Sequence, residues 1–157
     1  MEAARPATED DLPALAVLAR AALDELAPMR GGEVFVAREA RPSPVEESLA
    51  ADVADPDVLV LAGTIDEIVV VGYAIGRTEP LRDGSTLGRI TDLFVEPGAR
   101  AVGVGEALMD ALLPWFRDRG CRGVDATALP GNRETKNFFE MSGFTARLLV
   151  MHHRFER

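Results

Sequence analysis

The sequence predicts an α/β (α+β) fold, a mixed central sheet with helices on both faces, and three observations carry the prediction. Residues Ile90 to Met109 read in order as strand, short loop, glycine-bearing turn and helix start. The apolar runs Val58 to Ala62 and Ile68 to Ile75 flank the polar pair Asp66-Glu67, the pattern of two antiparallel strands joined by a tight turn. Segments with apolar residues at helical spacing alternate with these strands. No internal repeat, low-complexity tract or linker interrupts this order, so residues 1–157 are expected to form one domain.

Thr8-Glu-Asp-Asp11 reads as a capping sequence with acidic residues in the first turn, and Leu12, Leu15, Ala19, Ala22, Leu23 and Leu26 then recur at helical spacing. Residues 27–44 carry three prolines and two adjacent glycines, so this stretch is expected to be mostly loop, with Val34 to Ala37 extended. A short helix is expected from Pro44 to Val53, ending before Asp55-Pro56. Asp83-Gly84 marks a turn, after which Leu87 to Val95 forms the strand that enters the glycine-bearing loop. From Glu106 onward, Leu108, Met109, Leu112, Leu113 and Phe116 share one side of a helix that ends near Gly120, with a kink expected at Pro114. A strand over Val124 to Leu129, a helix over Arg133 to Met141 and a final strand over Ala146 to Phe155 complete the order.

At 47% hydrophobic and 27% charged residues the chain has the composition of an ordinary globular domain. It has no apolar run of membrane-spanning length and no signal-like N-terminus, so no membrane association and a cytoplasmic location are expected. The single cysteine, Cys121, excludes an internal disulfide framework and reads as a half-buried thiol rather than a nucleophile. A net charge of −9 opposes binding to a polyanion, so nucleic acid is not an expected partner. The acidic surface would suit a cationic amine, although solubility explains a charge of this sign equally well. His152 and His153 are adjacent on an expected strand and point to opposite faces, so they cannot share a metal, and none is expected.

The loop after the strand ending at Val95 has the make-up of an anion cradle. A helix N-terminus leaves about four N–H groups unpartnered and carries roughly half a positive charge. Gly103 and Gly105 leave those groups unobstructed, and Arg100 adds a planar donor fork suited to phosphate oxygens. A Walker loop is absent, and Leu108 stands where a dinucleotide fingerprint requires its third glycine. Seven residues, Glu96 to Val102, also separate the strand from Gly103, whereas in a dinucleotide fold the glycines follow the strand directly.

Arg100-Ala-Val-Gly103-Val-Gly105 resembles the [Gln/Arg]-x-x-Gly-x-[Gly/Ala] signature of the GNAT superfamily of N-acetyltransferases. Asn132-Arg-Glu-Thr-Lys-Asn-Phe138-Phe139, followed by Gly143-Phe144, is similar to a second block of that family at the spacing the family shows. The resemblance covers residues 88–154, while the first 85 residues support it through element order alone. It implies a parallel, splayed strand pair at the site of an acetyl-CoA co-substrate. Leu93 and Val95 would offer main-chain groups to the pantetheine arm. The loop of Arg100, Ala101, Val102, Gly103, Val104 and Gly105 would take the pyrophosphate, and Asn132 would contact the arm further along. Phe139 occupies the position of the family's usual tyrosine acid, and many relatives are dimers, so a homodimer is an expectation carried by the resemblance alone.

The implied activity is transfer of an acetyl group to a primary amine of a small molecule or peptide, by direct attack in a ternary complex. Such transfer needs an uncharged amine and a proton for the leaving thiolate. Phe139 has no proton to give, so Tyr73, the only tyrosine, becomes the candidate acid, against the alternatives of a water or of a core-packing role for that ring. The family's carboxylate positions hold Arg89 and Thr127, which cannot act as bases. Among Asp92, Glu96 and Asp125, Asp92 is preferred, because strand alternation places it on one face with Ile90 and Phe94. The missing tyrosine and carboxylates also motivate a second reading, a CoA-binding regulatory or interaction module with little turnover.

Overall fold

The computed structural model describes residues 1–156. A five-stranded sheet is built from β1 (Glu2–Pro6), β2 (Leu59–Ile65), β3 (Val69–Pro80), β4 (Thr86–Val95) and β5 (Val124–Ala126), in the order β1-β2-β3-β4-β5. The first three pairings are antiparallel, and β4 with β5 is parallel. Five helices surround it: α1 (Leu12–Leu26), α2 (Gly32–Arg38), α3 (Val45–Ala54), α4 (Val104–Asp118) and α5 (Arg133–Met141).

Two apolar layers sandwich the sheet. On one face Leu15, Leu18 and Ala19 of α1 and Val45 and Leu49 of α3 pack on Val60, Tyr73, Ile75 and Phe94. On the other, Val104, Leu108, Met109, Leu112 and Phe116 of α4 and Phe139 of α5 pack on Leu61, Val71, Ala74 and Ile90. The expected hairpin between β2 and β3 turns at Asp66 and Glu67, whose φ values of 54° and 61° give the primed turn geometry that matches strand twist. Helix α4 runs unbroken across Pro114. Close approach on this face requires glycine, since a Cβ on Gly88 would lie 2.6 Å from the Phe116 ring.

The structure departs from the sequence reading in three elements. Residues 34–37, expected extended, lie in helix α2, which starts after Gly31 in a left-handed conformation (φ 81°) and has Glu33 in its first turn and Arg38 in its last. Strand β1 was not expected from Glu-Ala-Ala-Arg-Pro, which lacks alternation and β-branched residues; pairing with β2 overrides local preference, and Pro6 is tolerated at the sheet edge. The final strand expected over Ala146 to Phe155 does not form in the single chain, because these residues have no neighbouring strand to pair with. Strand β5 also stops at Ala126 rather than Leu129.

The entry to α1 is fixed by a buried carboxylate. Asp11 accepts from the Thr8 N–H at 2.8 Å and from both terminal nitrogens of Arg5 at 2.8 and 2.9 Å, tying β1 to the helix. The Arg5 hydrogen bond holds the Asp11 carboxyl below its ordinary value, against the opposing effect of burial. Because the folded value lies below the unfolded one, this contribution is complete above pH ~4 and is lost as pH falls through the folded value. Asp11→Ala should lower unfolding free energy by ~2 kcal/mol at pH 7, with a smaller difference from wild type at pH 3, as read by urea titration at both pH values.

Candidate functional site

A cleft of about 460 Å³ opens beside β4 and is walled by α1, α2, α5 and the loop after β5. Its origin is the unequal pairing of β4. On one side β4 pairs with β3 from Thr86 to Val95, whereas on the other it meets β5 only at Gly88, Arg89 and Ile90. From Thr91 onward the two parallel strands diverge. The Glu96 N–H donates to the Val71 carbonyl at 2.8 Å, so strand alternation turns the amide groups of Leu93 and Val95 away from β3 and into the divergence. The Val95 carbonyl accordingly accepts from Arg100 Nε at 2.8 Å.

A β-bulge sets the side chains of this strand. Gly76 opposes Ile90 and Ile75 opposes Asp92, leaving Thr91 as the extra residue on β4. The inserted residue breaks the alternation from which Asp92 was expected beside Ile90. Ile90 packs under α4, while Asp92 lies on the opposite face with Tyr73 and Phe94.

There Asp92 is the centre of a buried polar cluster. Arg41 donates to it through Nε and Nη2, both at 2.9 Å, Tyr73 Oη donates at 2.8 Å and Thr91 Oγ1 at 2.8 Å. Arg41 Nη2 also reaches Asp52 at 2.7 Å, and Arg77 Nη2 reaches the same carboxylate at 2.9 Å. Two guanidinium groups thus balance two carboxylates. Burial works against the charge of Arg41, but Asp92 and Asp52 outweigh it and hold the guanidinium above its ordinary value. Burial raises the Tyr73 phenol well above its usual value, and the Asp92 carboxylate raises it further. Tyr73 therefore remains protonated across neutral pH. Arg77 Nε is buried without a hydrogen-bond partner.

The other wall is apolar. Phe139 is 7% exposed and packs with Phe138 and Phe144 at ring separations of 5.9 and 5.3 Å. Asn132 caps α5 by accepting from the Thr135 N–H at 3.2 Å. At the far end, a 3₁₀ turn over Pro97–Val102 leads to Gly103 (φ 91°), and α4 begins at Val104 with no side-chain cap. The Arg100 fork is engaged inward, with Nη2 on both Glu25 oxygens at 2.9 and 3.0 Å.

Of the residues singled out in sequence, Tyr73, Asp92, Leu93, Val95, Arg100, Gly105, Asn132 and Phe139 all line the cleft, and Ala101, Val102, Gly103 and Val104 continue the loop beyond it. Of the other candidate carboxylates, Asp125 lines the cleft and is held below its ordinary value by its hydrogen bond with Arg147, while Glu96 is exposed. Sequence reasoning missed Arg41 and Asp52, which sit in and after a proline-rich stretch with no periodicity or motif to mark them. Among the described residues no cluster of three or more His, Cys, Asp or Glu could hold a metal ion, and no helix is long and apolar enough to cross a membrane.

A family model described as "Acetyltransferase (GNAT) family" matches residues 21–144, which span the cleft, the Gly103 loop and the Phe139 helix. The chain belongs to this family. Membership makes it an acyl-transferring enzyme. Its structure is similar to a mutant of the BH1408 protein from Bacillus halodurans (TM-score 0.84, 19% identity, covering 98% of this chain and 99% of that one). It is also similar to AAC(6')-Iy in complex with a CoA-containing bisubstrate analogue (TM-score 0.74, 20% identity, 100% and 99% covered). A curated relative, glucosamine 6-phosphate N-acetyltransferase of Trypanosoma brucei brucei, is 34% identical over 79 residues, 49% of this chain and 52% of the relative. The chain thus spans about half the length of that relative.

Removing Arg41 would leave the Asp92 carboxylate buried beside a hydroxyl pair and no cation. Breaking a buried ion pair from one side costs ~3–5 kcal/mol. Arg41→Ala should therefore reduce unfolding free energy by about that amount in a denaturant titration. A midpoint equal to that of wild type would show that the pair is solvated in solution.

Proposed function

We propose that the protein is an acetyl-CoA-dependent N-acetyltransferase that acts on a primary amine of a small molecule or peptide. The observation that carries this reading is the continuous backbone path from the divergence of β4 and β5, where Leu93 and Val95 present their amides, to the uncapped N-terminus of α4 behind Gly103. The first satisfies an amide-containing arm by strand-like pairing, and the second attracts an anion through free N–H groups and the helix dipole. Both match pantetheine joined to pyrophosphate. The Arg100 fork, braced on Val95 and Glu25, holds the loop in place, and its positive charge lies beside that path. The cleft's carboxylates, Glu25, Glu39, Asp92, Glu106, Asp125 and Glu134, outnumber its guanidinium groups, Arg41, Arg89 and Arg100, which favours a cationic acceptor.

Bound acetyl-CoA supplies a thioester carbonyl and a thiolate leaving group. Tyr73 and Asp92, separately expected as acid and base, are joined by one hydrogen bond and act as a single proton path on this reading. Tyr73 Oη accepts the proton of the attacking amine while passing its own proton to Asp92 Oδ2. In the return step Asp92 gives that proton back to Tyr73, and Tyr73 protonates the departing sulfur. Arg41 holds Asp92 in line and prevents permanent protonation of the carboxylate, so the path is reset each turnover. Phe139 closes the opposite wall and keeps water from the thioester.

Gly103→Val would force a β-branched residue into the left-handed region and fill the approach to the α4 N-terminus. Acetyl-CoA affinity should fall more than tenfold by calorimetry, and unchanged affinity would remove the loop from the site. An alkyl amine with pKa near 10 is almost wholly protonated at pH 7, so the rate should rise from pH 6 to 9. Asp92→Asn and Tyr73→Phe should each lower kcat by ~10²–10⁴ with acetyl-CoA affinity nearly unchanged. If both variants keep wild-type kcat, the proton path lies elsewhere. If no amine accepts acetyl at any of these pH values, the acceptor class is wrong.

A further inference from the structure

The C-terminal residues carry the largest unexplained apolar surface of the described chain. Leu148, Leu149, Val150 and Met151 are 68%, 78%, 83% and 87% exposed, and Phe155 is 80% exposed. Four consecutive apolar side chains alternate onto both faces of an extended backbone, the pattern of a strand covered on both sides. Here they make no ladder at all. The segment leaves the domain beside the edge of the sheet, where Arg147 Nε is anchored on Asp125 of β5 at 2.8 Å. β5 pairs with β4 only, so its outer edge has no strand partner. Beside that edge lies an apolar hollow of about 180 Å³ lined by Leu113, Phe116, Cys121 and Val124.

We propose that two copies of this chain exchange their C-terminal segments, residues 146–156 of each pairing with the outer edge of β5 of the other. Three features favour a second copy as the occupant. The apolar run points away from its own β5 immediately after the Arg147 anchor, so reciprocal exchange about a two-fold axis buries both runs at once. A free strand and a free strand edge occur on the same molecule, which makes the contact self-complementary. Charge is complementary as well: residues 146–156 hold Arg147, Arg154 and two histidines against Glu156 alone, while the whole chain carries −9. One face of the added strand fills the hollow beside Cys121. The other extends the cleft wall that Asp125 and Thr127 begin, so each copy would complete the acceptor side of its partner's site.

Sedimentation equilibrium of the full chain at micromolar concentration should give twice the 16.9 kDa chain mass, and a monomer would overturn the proposal. The double variant Leu149→Asp, Val150→Asp should sediment as a monomer with an unchanged circular dichroism spectrum, and a persisting dimer would overturn it. The decisive measurement does not depend on that variant folding. Leu148, Leu149, Val150 and Met151 are replaced singly by Cys and oxidised, and disulfides to the native Cys121 are mapped by mass spectrometry. At least one variant should form a link to Cys121 between chains that Cys121→Ser abolishes. Links found only within one chain would show that the segment folds back on its own β5, and no link in any variant would show that it does not reach this edge.

Discussion

The unequal pairing of β4 is the constraint from which the site follows. A strand in the interior of a sheet normally spends all its backbone groups on its neighbours. β4 does so toward β3, but β5 accompanies it for three residues only, which leaves Leu93 and Val95 with polar backbone facing a cleft instead of a strand. Such groups need a partner, and a ligand with amides of its own supplies one without any special side chain. The same divergence opens the space in which a reaction can occur, and it places the N-terminus of α4 at one end of that space. Fold and site are therefore one arrangement, made by stopping β5 at Ala126.

The bulge at Thr91 decides which side chains face this space. Without it, Asp92 would lie with Ile90 beneath α4, in a layer of Leu, Val and Phe side chains that could not satisfy a carboxylate. With it, Asp92 crosses to the face where α3 and the segment after α2 bring Asp52 and Arg41. The resulting cluster balances its charges and fills the hydrogen-bonding capacity of Asp92 with donors from β3, β4 and the Arg41 segment. A network joined from separate parts of the chain rigidifies the acceptor end of the cleft, because no member can move without leaving a buried polar group unpaired. Arg77 Nε, buried and unpartnered, marks the edge of that satisfaction.

What was legible in sequence was local. The Gly103 loop, the Asn132 cap and the α5 helix are each written within a few consecutive residues, and the hairpin, α1 and α4 are written in periodicity. What was illegible depends on contacts distant along the chain. Arg41 and Asp92 are fifty-one residues apart and neither carries a motif. The bulge leaves no mark in a strand whose neighbours alternate normally, so alternation gave the wrong face for Asp92 relative to Ile90. β1 forms from a segment with poor strand propensity because β2 offers an edge. The segment 146–156 shows the reverse case, a strand-like sequence that lacks a partner within its own chain.

The aromatic residues divide the cleft into a dry wall and a polar wall. α5 presents Phe138 and Phe139, backed by Phe144, so no proton can be exchanged from that side. The only phenol of the chain comes from β3 on the opposite side, where Tyr73 is buried and its hydroxyl is directed onto Asp92. A phenol placed on α5 would need its own acceptor in an apolar layer, which the surrounding phenylalanines do not offer. On β3 the acceptor is already present and is held by Arg41. Moving the hydroxyl across the cleft thus trades a solitary donor for one coupled to a carboxylate, which can both receive a proton and return it. That coupling gives the proposed reaction a proton path in a chain whose family position for tyrosine is filled by Phe139.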